Sequence, residues 1–165
     1  MKLFLINPEQ MLIGKLSKKM YKPFCVNDKI IIEKNLKNLL DLRLIFSGYY
    51  SEDGQKHIAE TIALDTKKRI PYLIGYKKST RDNFLNRYQN EYENIMEDKK
   101  KFVDLVSLYG RVDNLKTHDM RCIIIASAFT PKEVALAREF PIPVDFYTWA
   151  LVENILIFKK LKHDK

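Results

Sequence analysis

Residues 58–78 read IAETIALDTKKRIPYLIGYKK. An apolar run from Ile58 to Leu64 is broken by Asp65-Thr66-Lys67-Lys68-Arg69 and resumes from Ile70 to Tyr76. Two apolar runs around a short polar break predict two strands joined by a tight basic turn. Side chains two apart along a strand look the same way. Glu60, Ile62 and Leu64 therefore share one face of the first strand, and Gly75 and Lys77 share one face of the second.

Outward from this hairpin the chain alternates helical and strand patterns. On the N-terminal side, Leu42–Ser47 predicts a strand that ends in the turn-rich stretch 48–54. Before it, Asn27 or Asp28 can cap a helix running to about Leu40, with Ile32, Leu36, Leu39 and Leu40 as its apolar stripe and Glu33 on the border of that stripe. Lys2–Ile6 and Met11–Leu16 read as a short hairpin around Asn7-Pro8. On the C-terminal side, Ser79-Thr80 can cap a long helix whose stripe is Phe84, Tyr88, Tyr92 and Ile95. Packing against a sheet explains such a stripe. Phe102–Leu108 follows as a second helix or a continuation of the first, and Tyr109-Gly110 ends it. Met120–Ala126 reads as a fully buried strand. Thr130-Pro131 with Glu133 opens a further helix, and Val144–Tyr147 is another strand. Residues 151–161 read as a last strand or a short helix. The first three core strands are close enough in sequence for an antiparallel meander, and the later ones follow helices and can add in parallel. The expected fold is α/β, a central mixed sheet flanked by helices, in a single domain over residues 1–165, with 1–26 a short N-terminal segment and 27–165 the core.

The totals narrow the function. At 46% apolar residues the chain can bury a proper core, which excludes intrinsic disorder. Its 29 basic and 21 acidic residues give a net charge of +8, suited to an anionic partner, nucleic acid first and an anionic membrane surface second. A solvated lysine-rich surface explains the same charge. Cys25 and Cys122 lie far apart without metal-ligand spacing, in keeping with a reducing cytoplasmic setting. No apolar run approaches the ~20 residues of a membrane span, so a soluble protein away from the membrane is expected.

A carboxylate near one strand end, with a lysine near the end of its neighbour, suits phosphodiester chemistry. In order, Glu33-Lys34-Asn35-Leu36, Ala59-Glu60-Thr61-Ile62-Ala63-Leu64-Asp65, Ile74-Gly75-Tyr76-Lys77, Gln89 with Tyr92, and Ile125-Ala126-Ser127-Ala128-Phe129-Thr130 resemble the PD-(D/E)xK nuclease superfamily. Within it they are most similar to the catalytic domain of NucS-type endonucleases. The resemblance covers about residues 31–147 and implies a restriction-endonuclease-like core. It implies Glu60 as a Mg²⁺ ligand, Lys77 as the catalytic lysine, and Glu33 and Gln89 as further site residues. DNA is the implied nucleic acid, and a homodimer or a nuclease partner is the implied assembly. The basic turn Lys67, Lys68 and Arg69, with Lys78, can meet a phosphate backbone, and a solvated turn explains them equally.

Three positions depart from the pattern. Glu60 stands where the family has Asp, Ile58 where it has a basic residue, and Gly75 where the second metal-binding carboxylate belongs. Mg²⁺ is held by hard oxygen ligands, and glycine offers no side chain. Glu91 on the following helix is a candidate replacement. Three readings follow: a nuclease-like nucleic-acid-binding protein with an impaired site, an active Mg²⁺-dependent endodeoxyribonuclease with a rearranged one, and a non-catalytic interaction subunit.

Overall fold

The computed structural model describes residues 2–5, 26–51, 54–79, 82–152 and 155–161. Its strands are β1 (Lys2–Leu5), β2 (Arg43–Tyr50), β3 (His57–Asp65), β4 (Ile70–Tyr76), β5 (Arg121–Ala126), β6 (Val144–Val152) and β7 (Ile155–Lys160). Its helices are α1 (Val26–Lys34), α2 (Leu36–Leu40), α3 (Phe84–Glu97), α4 (Lys99–Gly110) and α5 (Pro131–Leu136). Among the described residues the strands form one mixed sheet in the order β1-β7-β6-β5-β4-β3-β2.

The hairpin at residues 58–78 forms as expected. β3 and β4 pair antiparallel with Thr61 opposite Ile74 and Asp65 opposite Ile70. The Asp65 carboxylate accepts the backbone N–H groups of Lys67 (3.0 Å) and Lys68 (2.9 Å), which closes the turn. β2 extends the meander antiparallel. β5 and β6 add in parallel, each after a helical connection, because a parallel neighbour needs a crossover. The sheet separates two apolar layers. Leu73, Ile124 and Phe146 pack under α3 and α4 with Phe84, Tyr88, Phe102 and Val106. Ile74, Tyr76, Ile123 and Ile125 pack under α1 and α2 with Ile32, Leu36 and Leu39. β4 and β5, covered on both faces, are buried almost throughout, which is why their sequences run apolar without alternation.

Several local expectations are corrected. The helix predicted over 27–40 is two helices. Asn35 leaves helical geometry (φ −108°, ψ 6°) and its side-chain amide donates to the Ile31 carbonyl at 2.8 Å, the backbone competition expected of a mid-helix asparagine. Helix α1 starts at Val26, so Asn27 and Asp28 lie in its first turn rather than at its cap. Strand β2 runs past Ser47 to Tyr50, because Gly48 takes φ +84° within a strand whose pairing shifts register at Tyr49/Tyr50. Lys2–Leu5 is a strand, but its partner is β7 at the far edge of the sheet; residues 11–16 lie outside the described residues. Of the two readings left open for 151–161, the strand holds over Ile155–Lys160, while Leu151 and Val152 end β6.

Helix α3 begins at Phe84, later than Ser79-Thr80 suggests, with Asn83 before it making no side-chain cap. Helix α5 has the expected capping box. The Thr130 side chain accepts from the Glu133 backbone, and the Glu133 carboxylate accepts from the Thr130 N–H at 2.7 Å. Thr130→Ala is expected to lower stability by about 1 kcal/mol, read as a reduced urea midpoint at unchanged slope.

Candidate functional site

Glu60 lies in the buried part of β3, which begins at Ala59, and Gly75 lies beside it on β4, one step beyond the Thr61–Ile74 pair. Residues opposite in an antiparallel pair bring their Cβ positions within about 5 Å. Tyr88 of α3 fills the space Gly75 leaves. A Cβ built on Gly75 would stand 2.0 Å from Tyr88 Cζ and 2.3 Å from Cε2, closer than any real Cβ contact. Glycine is required here by close approach of a ring to the strand backbone.

The phenol is tied in on every side. Tyr88 Oη donates to Glu60 Oε2 and accepts the Tyr76 N–H at 2.6 Å. It also accepts from the Arg87 guanidinium at 3.0 Å. Arg87 donates as well to the Tyr76 carbonyl (2.9 Å) and to Asp82 (3.2 Å). Its Nε is buried with no hydrogen-bond partner among the described residues. Glu60 completes its set with Lys78 at 2.7 Å from Oε1 and the Tyr76 N–H at 3.2 Å from Oε2.

Electrostatics separate the carboxylates of this cluster. Burial pushes Glu60 up, but hydrogen bonds from Lys78 and Tyr88 outweigh it, and the carboxyl is held below its ordinary range. Glu91, 5% exposed, accepts the Glu60 N–H at 3.3 Å. Burial first, and the Glu60 charge second, push Glu91 up to about 8, so it carries a proton at neutral pH. Desolvation holds the His57 imidazole below its usual value, so that ring is neutral. These groups line a recess of about 660 Å³ between α1, the start of β3, the end of β4 and α3, with Lys29, His57, Glu60, Lys78, Arg87 and Glu91 in its wall.

Other residues singled out in the sequence are placed elsewhere. Glu33 faces the opposite side of the sheet, where it accepts from Ser47 Oγ at 2.7 Å and Thr61 Oγ1 at 2.5 Å. Lys29 links the two sides, donating to the Glu60 carbonyl at 3.0 Å and standing 3.6 Å from Glu33. Lys77 is 6% exposed and pairs with Glu133 of α5 at 2.7 Å, its ammonium 5.7 Å from the Phe84 and Phe129 ring centres. That pair, not Glu60, is its electrostatic partner. Gln89 is exposed and donates to Glu93 at 3.0 Å. Lys67, Lys68 and Arg69 sit at the other end of the hairpin, about 15–20 Å from Glu60 at the rise of a strand. There Lys67 pairs with Asp41 at 2.8 Å, and hydrogen bonds from Lys37 and Lys67 hold Asp41 down at about 2.

The donor set does not suit Mg²⁺. Lys78, the Tyr88 phenol and the Tyr76 N–H already engage the Glu60 carboxylate, Glu91 is protonated at neutral pH, and Gly75 contributes nothing. Among the described residues no cluster of three or more His, Cys, Asp or Glu is arranged to hold a metal ion.

Sequence reasoning missed Tyr88 and Arg87, because a tyrosine on an apolar helical stripe reads as core. The signal that could have found them is Gly75 itself, since a glycine inside a buried strand marks something close against the backbone. Lys29 carried a weaker signal, its i, i+4 spacing to Glu33. No described helix is long and apolar enough to cross a membrane. Comparison of the chain with family models, with curated proteins and with solved structures gives no match.

Proposed function

We propose that this chain is a nuclease-like protein that binds nucleic acid without cutting it, a restriction-endonuclease-like core in which Gly75 stands in place of the second metal-binding carboxylate. The observation that carries this reading is the interlock of Gly75 with Tyr88. A second carboxylate on β4 has no room, and the phenol satisfies the Glu60 oxygen it would have faced. The meander with parallel strands added beside β4 supports the fold half of the reading. The net charge of +8 and the basic groups Lys29, Lys78 and Arg87 around the recess support the binding half. DNA is the first partner to test.

The decisive measurement is fluorescence anisotropy with labelled single-stranded and duplex DNA over a salt series, beside a cleavage assay with Mg²⁺ and Mn²⁺. Binding is expected to weaken steeply with salt. Three phosphate contacts to a single strand give a slope of log K against log salt of about −2. Neither the wild type nor Gly75→Glu is expected to cleave. Metal-dependent cleavage by the wild type, abolished in Glu60→Ala, would overturn the proposal in favour of an active endodeoxyribonuclease. Absence of DNA binding at low salt would favour an interaction subunit. That second reading has its own observation in the exposed apolar pair Leu108 (69% exposed) and Tyr109 (56%) at the end of α4.

A further inference from the structure

The end of the sheet away from Glu60 carries cations in a different setting. There the end of α1, the start of β2, the β3–β4 turn and the end of α4 surround a hollow of about 580 Å³, with Lys34, Arg43, Thr66 and Arg111 in its wall. The hairpin tip continues this surface. The Lys116 N–H donates to the Arg69 carbonyl at 2.8 Å, which holds the segment after α4 against the turn.

The charges at this end are not balanced locally. Lys37 and Lys67 share Asp41, and Lys68 stands 3.7 Å from Asp65. Arg43 donates to the Gly110 carbonyl at 3.1 Å. Glu33, in the wall of the hollow, is engaged by Ser47, Thr61 and Lys29. Asp119 lies beside His118. Lys34, Arg69, Arg111 and Lys116 are exposed and meet no carboxylate among the described residues. Asp113 is the exposed carboxylate left to oppose them. At the recess, by contrast, Lys29, Lys78 and Arg87 lie beside Glu33, Glu60 and Asp82.

A second observation, independent of the charges, is the backbone on which two of these cations sit. Arg69 (φ +62°) and Arg111 (φ +52°) hold left-handed conformations, which glycine adopts at least cost. Arg111 closes α4, where a cation suits the helix end. Arg69 closes a hairpin turn and has no such reason. A costly conformation kept for an exposed arginine points to a use for its charge.

The surroundings narrow the partner. Residues 34–44, 65–70 and 110–119 contain no Phe, Tyr or Trp. Tyr109, next in the chain, meets the Phe46 ring edge to face at 5.2 Å. Unpaired bases are held by stacking on aromatic rings, and this surface offers no such platform. It offers separated cations, which suit a regular array of phosphates. Duplex DNA presents about one charge per 1.7 Å of its axis.

We propose that this end of the sheet holds a nucleic-acid duplex by its phosphate backbone, through Lys34, Arg69, Arg111 and Lys116. This rests on the nucleic-acid-binding reading and adds to it the surface and the form of the partner. The surface lies at the opposite end of β3 and β4 from Glu60 and Gly75, so binding is separated from the place where a nuclease of this fold would cut.

The test uses the whole chain, a labelled DNA duplex about two helical turns long, one of its single strands, and vesicles of equal parts phosphatidylcholine and phosphatidylserine. One variant combines Lys34→Gln, Arg69→Asn, Arg111→Asn and Lys116→Gln, asparagine being tolerant of positive φ. A control combines Lys99→Gln, Lys100→Gln, Lys132→Gln and Lys159→Gln, which removes the same charge from exposed positions elsewhere. The first variant is expected to bind the duplex about a hundredfold or more weakly near 0.1 M salt, with a slope of log K against log salt shallower by about 3 to 4. The control is expected to lose less than about tenfold. Lys34→Gln with Lys116→Gln leaves both left-handed positions untouched and carries about half of the slope change, so the test survives a fourfold variant that circular dichroism finds unfolded. Equal losses in the fourfold variant and the control overturn this surface and leave nucleic-acid binding standing, as does an unchanged affinity in the fourfold variant. A single strand bound as tightly as the duplex overturns the duplex assignment. No binding of either DNA by the wild type overturns the nucleic-acid reading as well. Vesicle binding that depends on the same four residues, without DNA binding, replaces the duplex by an anionic membrane surface.

Discussion

Gly75→Ala is expected to destabilise the chain by about 3 kcal/mol or more, an overpacking cost at the upper end of the usual range. The new methyl group would stand 2.0 Å from a ring carbon of Tyr88. The ring cannot swing aside cheaply. Its hydroxyl is bonded to Glu60, Arg87 and the Tyr76 backbone, and its residue is fully buried. For a chain of 165 residues the expected drop in Tm is roughly 6–12 °C. A double-mutant cycle isolates the cause. Tyr88→Ala alone costs about 3–5 kcal/mol through the cavity it leaves, but in that background Gly75→Ala should cost less than about 1 kcal/mol. The coupling of more than ~2 kcal/mol is read from urea midpoints of the four proteins. Additive losses would show that the ring and the glycine are not interlocked. Gly75→Glu meets the same clash, so restoring the carboxylate alone disrupts the fold before it builds a metal site. Only with Tyr88 truncated as well can a carboxylate at this position face Glu60.

That interlock marks how far the sequence could be read. The strands and their order are carried by patterns that burial on both faces forces: the unbroken apolar runs of β4 and β5, and the polar turn between β3 and β4. The capping box of α5 is legible because Thr130, Pro131 and Glu133 each suit one local role. The break at Asn35 was less legible, because the apolar spacing continues through it while the side chain turns back on Ile31. The site was the hardest part. Its members come from α1, β3, β4 and α3, and spacing within one element cannot say which cation meets which carboxylate. Lys77 and Lys78 are neighbours on the chain just beyond β4, yet Lys77 goes to Glu133 and Lys78 to Glu60, the reverse of what strand alternation alone would give. The glycine read as a missing ligand is half of a packed pair whose other half lies thirteen residues on, at Tyr88.

Glu91 gives the second large effect, and its sign follows from where its proton sits. In the unfolded chain this carboxyl titrates near 4.5; folded, it titrates at about 8. The folded state therefore holds the extra proton between those values, and stability falls as pH rises through that window. The contribution is fully present below about 4.5 and gone above about 8, on the order of 5 kcal/mol in all at 1.36 kcal/mol per unit. Glu60 works at the other end. Its folded value is lowered, so its contribution is present above its unfolded value and lost as the solution becomes acidic. His57, exposed and also lowered, gains with rising pH. The nearby Arg87 and Lys78 charges moderate the Glu91 shift rather than reverse it. Glu91→Gln removes one titration and keeps the shape. Relative to wild type, it should gain stability from about pH 5 to pH 8, then level off, and be clearly more stable at pH 9. Comparing the two proteins at each pH cancels every other titrating group. A difference that does not change with pH would mean that Glu91 is ionised in the folded protein.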